Sequence, residues 1–275
     1  MVSARVIRNL KKEFRNSALA KIGLLLVVGI LFTAAFAPFL APHNPTDQQL
    51  DQSELPPLGF SETTERTTSQ MVDGEIQTVT ETVEVTPDAA HPLGTDSLGR
   101  DMLSRIIYGA RTSLVVGVLG TLLAAFVGVP VGLFAGYHRG KTDDLLMRIA
   151  DVSLAFPSLV LAVALIGLWG RAAINVPDPF VVAGLAPEMP ESFVLPITVV
   201  IVVGLVNWVW FARVARGEAL SLRSQEYVKA SRALGADDTS IIWNHVLPNA
   251  ITPIIVLATV QVAAIILLES SLSFL

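Results

Sequence analysis

Thr112–Tyr137, TSLVVGVLGTLLAAFVGVPVGLFAGY, runs for 26 residues without an Asp, Glu, Lys, Arg or His. An α-helix rising about 1.5 Å per residue needs roughly 20 apolar residues to cross a hydrocarbon layer about 30 Å thick. The stretch therefore reads as a membrane span. Ile22–Leu40, Val152–Gly170, Ser192–Ala212 and Val246–Leu268 are equally free of charge. The 275 residues are 52% hydrophobic and 16% charged, against roughly 25% charged in a soluble domain. The fold class predicted is all-α, a polytopic membrane helix bundle with five spans, the first at 22–40 and the rest within a core at 112–275. Gly128, Gly132 and Gly136 place a GxxxGxxxG face on the second span. Without side chains there, a second helix packs closely, and dispersion drives the contact because lipid offers no hydrophobic effect. Pro130 predicts a kink supported by neighbouring helices.

Charge sets the expected topology. The tail 1–21 carries six of the 19 basic residues, three more lie between spans two and three, and five follow span four. Only Arg66, Arg100, Arg105, Arg111 and Arg171 fall on the other side, so the positive-inside bias predicts a cytoplasmic N-terminus and an external C-terminus. The basic start could be a secretory signal, but its 19 uncharged residues exceed the roughly 7 to 15 of a signal core, which argues for a retained anchor. The external segment 41–111 holds 12 of the 24 acidic residues and reads as a hydrated coat. Within it Ile76, Val79, Val83 and Val85, with Asp73-Gly74 as a turn, predict a small β-hairpin. Leu98, Met102, Leu103, Ile106 and Ile107 form an apolar face that predicts an interfacial helix near 97–110.

Motifs of covalent chemistry fail. Ala135–Thr142 has the Gly-Lys-Thr ending of a phosphate loop, but lacks its first glycine and follows an apolar helix rather than a strand. His43, His91, His138 and His245 fall in four separate places without HExxH or i, i+4 pairing, which predicts no metal site. There is no cysteine, no GxSxG elbow, and no basic patch with interleaved aromatics that would suit nucleic acid. No catalytic residue is expected.

The segment 213–248 is patterned. Leu220, Tyr227, Ala230, Ala233 and Leu234 recur at helical spacing, Gly235 breaks the helix, and Asp237 or Asp238 caps a second one holding Ile241, Ile242 and Val246. Two short helices at an angle make a knob suited to docking a partner. Trp208, Trp210 and Phe211 at the end of span four read as an aromatic belt.

The run Glu226-Tyr227-Val228-Lys229-Ala230-Ser231-Arg232-Ala233-Leu234-Gly235, followed by His245-Val246-Leu247-Pro248-Asn249, resembles the EAA loop of ABC importer permeases of the dipeptide/oligopeptide branch, which includes some nickel transporters. Lys229 replaces a consensus Glu, and Ser231 a consensus Ala. The segment His91–Leu114, HPLGTDSLGRDMLSRIIYGARTSL, resembles a signature of the same branch, as do Arg148–Pro157 and Glu269–Leu275. The region near 47–90 lies outside the resemblance.

The resemblance implies a type I ABC importer permease with six spans, the sixth following Leu275. It further implies a second permease subunit, making a heterodimer, and two cytoplasmic ATPases that carry ATP and Mg. An extracellular or lipid-anchored solute-binding protein completes the set, with membrane lipid around it. No cofactor is expected on this chain. Glu226, Tyr227, Lys229, Ala230, Ser231, Ala233, Leu234, Gly235, Ala236, Asp237 and Asp238 become the ATPase-coupling residues. Polar groups in spans are costly and often functional, so Glu269, Asn207 and Asp151 are candidates for the translocation path. Asp151 has the alternative of pairing with Arg148, Arg213 or Arg216. Peptides lead as cargo, ahead of nickel. An ion-driven carrier or a membrane-anchored receptor with an acidic outer loop are the competing functions, and the spans show none of the internal duplication common in carriers.

Overall fold

The computed structural model describes residues 17–72 and 75–274. The chain divides into two units, one running to Arg111 and including Pro177–Phe193, the other formed by Thr112–Val176 and Val194–Leu275. Most of the basic tail and the Asp73-Gly74 turn lie outside the described residues.

In the first unit, helix α1 (Ala18–Ala35) is capped by Ser17, whose side chain accepts from the Ala20 N–H at 3.2 Å. Most of its apolar side chains are half-exposed or more, as suits a helix apolar all round in a membrane span, and Ala34 is buried. The short helix α2 (Ala37–Leu40) follows, with Pro38 in its first turn, where a missing N–H costs nothing. Strands β1 (Glu62–Val72) and β2 (Glu75–Val85) pair antiparallel from Glu62↔Val85 to Val72↔Glu75, the hairpin expected from the sequence.

The structure corrects the expected interfacial helix. Residues 97–101 are a tight turn: the Asp96 carboxylate accepts from the Leu98 and Arg100 N–H groups at 3.0 Å each, and Gly99 takes φ +71°. A Cβ on Gly99 would strike the Gln49 carbonyl. Asp101 then caps helix α3 (Met102–His138), its Oδ2 accepting from the Ser104 N–H at 2.7 Å. From Met102 the helix runs unbroken into the second span, about 55 Å by helical rise. Arg111 does not interrupt it, because its guanidinium is buried against Asp178 and lies 4.7 Å over the Phe193 ring. Leu103, Ile107 and Tyr108 pack with Ala37, Ala41 and Met189.

In the second unit, α4 (Gly140–Ala155) and α5 (Ser158–Trp169) meet at a 90° bend, so the third span expected at 152–170 is not one continuous helix. The physical cause is Pro157, which forces Phe156 out of the helical region to φ −93°, ψ 134°. The short strand β3 (Ile174–Pro177), helix α6 (Pro179–Val182), which belongs to the first unit, and strand β4 (Ser192–Leu195) precede the long α7 (Ile197–Leu222). Helix α8 (Glu226–Ala233) is followed by α9 (Asp238–Ile241), a π turn at Ile242–Val246 and α10 (Leu247–Ser273). The second helix of the expected knob is thus the beginning of the last span. Among the described residues, four helices are long and apolar enough to cross a membrane, or five if the bent pair is one span.

Helices α3 and α7 set the packing of this unit. A Cβ on Gly128, Gly132 or Gly136 would collide with the carbonyls of Trp208, Ala212 and Arg216 respectively. Glycines four apart thus oppose backbone positions four apart, ridge against groove. One core surrounds Leu133, Tyr137, Phe211, Ala215, Ile241 and Val246. A second holds Val116, Ala162, Val202, Val203 and Ile265. Phe211 is therefore core, whereas Trp210 is exposed as a belt residue would be.

Gly132→Val should destabilise the chain by about 1 to 3 kcal/mol or more through overpacking. Gly29→Val, where no atom lies within 4 Å of the added carbon, should be nearly silent; thermal unfolding in detergent compares the two. A second expectation concerns acid. Burial raises the Asp96 pKa, but hydrogen bonds from the Arg100 side chain and the Arg100 and Leu98 N–H groups outweigh it and hold the carboxyl below its usual range. A lowered folded pKa gives stability that is full above about 3.9 and lost as pH falls through the folded value. Asp96→Asn should unfold at lower temperature than wild type at neutral pH, and the difference should shrink as pH falls through the lowered folded pKa.

Candidate functional site

The segment from Arg213 to Ala250 owes its shape to two local signals. After α7 ends at Leu222, α8 runs to Ala233 and is closed by Leu234 N–H to the Ala230 carbonyl and Ala236 N–H to the Ser231 carbonyl, at 3.0 and 3.1 Å. Gly235 sits at φ +82° with open space where a side chain would project. Its requirement is conformational, the left-handed residue that ends a helix. Asp237 then accepts from the Thr239 N–H at 3.0 Å and starts α9.

Burial divides this arm into two faces. Val228, Ile241, Ile242, Val246 and Ala250 turn inward onto Tyr137, Phe211 and Ala219. The stripe Tyr227, Ala230, Ala233 and Leu234, although spaced like a core face, is exposed, Leu234 at 89% and Tyr227 at 41%. The arm is held down by Tyr137 at the end of α3. Its hydroxyl donates to Asp238 Oδ1 at 2.8 Å and accepts from Arg232 Nη2 at 2.6 Å, while the Arg232 guanidinium lies 5.1 Å over its ring. That hydrogen bond to Tyr137 raises the Arg232 pKa. Beside it, burial and then the charges of Arg139 and Arg232 lower that of Arg223. Lys229, in place of the motif Glu, bonds to Glu226 one turn away at 2.9 Å. Ser231 donates to the Tyr227 carbonyl and lies 3.4 Å from His245.

Ion pairs tie α4 to α7. Arg216 is bidentate to Asp143 at 2.5 and 2.7 Å, and Arg213 bonds to Asp151 at 2.7 Å. Asp151 is exposed, with Arg213 as its partner. The buried Asp143 was not singled out from the sequence, where only its place in the first turn of α4 marks it.

In the spans, Asn207 is buried and bonds to the Val203 carbonyl of its own helix at 2.8 Å. Glu269 is also buried, accepting from Ser113 and Ser273 at 3.1 Å each. Gln261 and Thr121 join them as buried polar groups that sequence reasoning passed over, and the Thr121 hydroxyl has no partner among the described residues. Their signal was the one used for Asn207, a polar residue in an otherwise apolar run. Ala135–Thr142 passes directly from α3 into α4, so no strand leads into the loop-like motif. The expectation of four separated histidines needs correction: the His43 and His91 rings lie 4.5 Å apart, because the chain folds the segments after α1 and before α3 together.

Residues 128–275 match the model of the family "binding-protein-dependent transport system inner membrane component". Residues 7–57 match the N-terminal transmembrane domain of oligopeptide transport permease C. The chain is similar to the dipeptide transport system permease protein DppC of Bacillus subtilis, 34% identical over 264 residues, covering 96% of this chain and 66% of the relative. It is 30% identical to the oligopeptide transport system permease protein OppC of the same organism over 263 residues, 96% of this chain and 69% of the relative. It is 36% identical to the glutathione transport system permease protein GsiD of Pectobacterium atrosepticum over 189 residues, 69% of this chain and 55% of the relative. The chain thus spans between 55% and 69% of the length of these curated relatives. Inner membrane components of this kind are non-catalytic transport subunits that hold no cofactor. With more than half of its residues inside the family match, the chain belongs to the binding-protein-dependent transport system inner membrane components.

Proposed function

We propose that this chain is a permease of an ATP-driven importer, carrying short peptides through the membrane while partner ATPases bind Mg and hydrolyse ATP on their own subunits. The observation that carries the reading is the exposed stripe Tyr227, Ala230, Ala233 and Leu234 on an arm tethered to α3. An apolar stripe left uncovered on one face, beside an arm locked on the other, is suited to receive a protein partner. Glu226, Lys229, Ser231, Asp237 and Asp238 form its polar rim, and Ala236 packs partly buried against the core. The arm faces the cytoplasm with the N-terminus, as the distribution of basic residues favours. A second permease subunit completes the path, and a solute-binding protein delivers cargo from the other side.

Closure of the ATPases displaces α8, and Tyr137 passes the movement to α3 and, through glycine-backed contact, to α7. The spans then rock between two access states. Glu269, with its serine partners, and the buried Gln261 and Thr121 are the candidates for contact with cargo groups, being polar groups in otherwise apolar spans. Asn207 and Asp151 have less claim, since one is satisfied within its own helix and the other is exposed beside Arg213. Peptides are favoured over nickel because the named relatives are dipeptide, oligopeptide and glutathione permeases. An ion-driven carrier is the rival, and ATP-independent uptake in reconstituted vesicles would establish it.

Leu234→Asp should weaken binding of the ATPase subunits at least tenfold, in line with loss of an interface anchor, while leaving the unfolding temperature unchanged. Pull-down from detergent reads the first quantity. Gly235→Val, forced into a left-handed conformation costing about 1 to 2 kcal/mol, should reduce peptide uptake more than ATP hydrolysis. Undiminished uptake by both variants would reject the coupling role.

A further inference from the structure

The turn after α2 and the segment before α3 bring His43, His91 and Asp101 together, residues that the transport reading leaves unused. The Asp101 side chain is fully buried. Its Oδ2 is taken by the Ser104 N–H, while Oδ1 lies 2.9 Å from His91 Nδ1 and 3.9 Å from His43 Nδ1. The other nitrogen of His91, Nε2, lies 2.9 Å from Gln52 Oε1. Among the described residues, His43 Nδ1 is buried without a hydrogen-bond partner. All three side chains are within 4.8 Å by their ligand atoms. Around them opens a cavity of about 140 Å³, also lined by Asn44, Asp47 and Glu188.

His91 presents both ring nitrogens to oxygen acceptors, yet a neutral imidazole has one N–H. With that N–H given to Gln52 Oε1, the Nδ1 lone pair faces Asp101 Oδ1, a contact that a cation between them would satisfy. The Nδ1 side suits the cation, because Asp101 Oδ1 and the orphaned His43 nitrogen converge there. The Nε2–H then donates to Gln52 Oε1, the outer contact that ligating histidines make to fix their tautomer. Two imidazole nitrogens and one carboxylate oxygen form a donor set for zinc-class ions, whereas Ca²⁺ and Mg²⁺ prefer oxygen alone.

We propose that His43, His91 and Asp101 bind one divalent transition-metal ion of the zinc class, with water from the cavity completing its coordination. Bonds of about 2.1 Å allow ligand atoms at most about 4.2 Å apart, so the cluster closes slightly on binding. His43, 36% exposed, has room to rotate. Asp47 and Glu188 add negative charge around the cavity. The ion acts as a structural staple between the turn after α2 and the cap of α3, takes no part in any reaction, and is independent of the cargo.

The test uses the untagged full chain in detergent, stripped with a chelator and titrated with Zn²⁺ by calorimetry. One equivalent should bind, raise the unfolding temperature, and be replaceable by Co²⁺ with visible d–d absorption. His43→Gln, on a partly exposed side chain, should keep the unfolding temperature of the metal-free chain but bind Zn²⁺ at least tenfold more weakly. Gln52→Leu should weaken binding about 10- to 100-fold, as loss of an outer contact does. A wild-type chain that takes up no Zn²⁺, or equal affinity in wild type and His43→Gln, would overturn the assignment.

Discussion

The close approach of α3 to α7 is the constraint on which the second unit depends. Three glycines at four-residue spacing let the α3 backbone meet the carbonyls of Trp208, Ala212 and Arg216, distances that no side chain would permit. In hydrocarbon, where apolar burial gives no advantage, such dense contact is what makes helices associate. The same two helices place the chemistry of the arm. Helix α3 ends in Tyr137, which grips Arg232 and Asp238, and α7 carries Arg213 and Arg216 to their carboxylate partners on α4.

From that contact follows a division of labour along the arm. Its inner residues, Val228, Ile241, Ile242 and Val246, complete a core already begun by Phe211 and Ala215. Its outer stripe is left with nothing of this unit to cover it. The stripe's helical spacing is legible in sequence, but spacing alone does not distinguish a face buried in the protein from one awaiting a partner. Burial of Val228 and exposure of Tyr227 show which side of α8 turns inward.

Where the sequence reading of the fold went astray, a local rule was outweighed or overlooked. The charge on Arg111 marks a boundary in the sequence, yet with Asp178 as a buried partner and Phe193 beneath it the helix continues through. Pro157 lay within a charge-free run, and composition counted it as part of a span although its ring forbids the preceding residue a helical conformation. The hairpin was recovered because alternating residues and a turn dipeptide are local signals.

By itself the sequence determined the membrane character, the approximate spans, the glycine face and the two-helix pattern of 213–248. Each is written in neighbouring residues: length against bilayer thickness, period against helix pitch, cap against helix end. Tertiary structure alone decided that α3 is one long helix from Met102, that Glu269 meets Ser113, and that His43 stands beside His91 and Asp101. Those contacts join residues far apart along the chain, so no periodicity or spacing encodes them, and only the closing of the loops around a shared buried carboxylate brings them within reach.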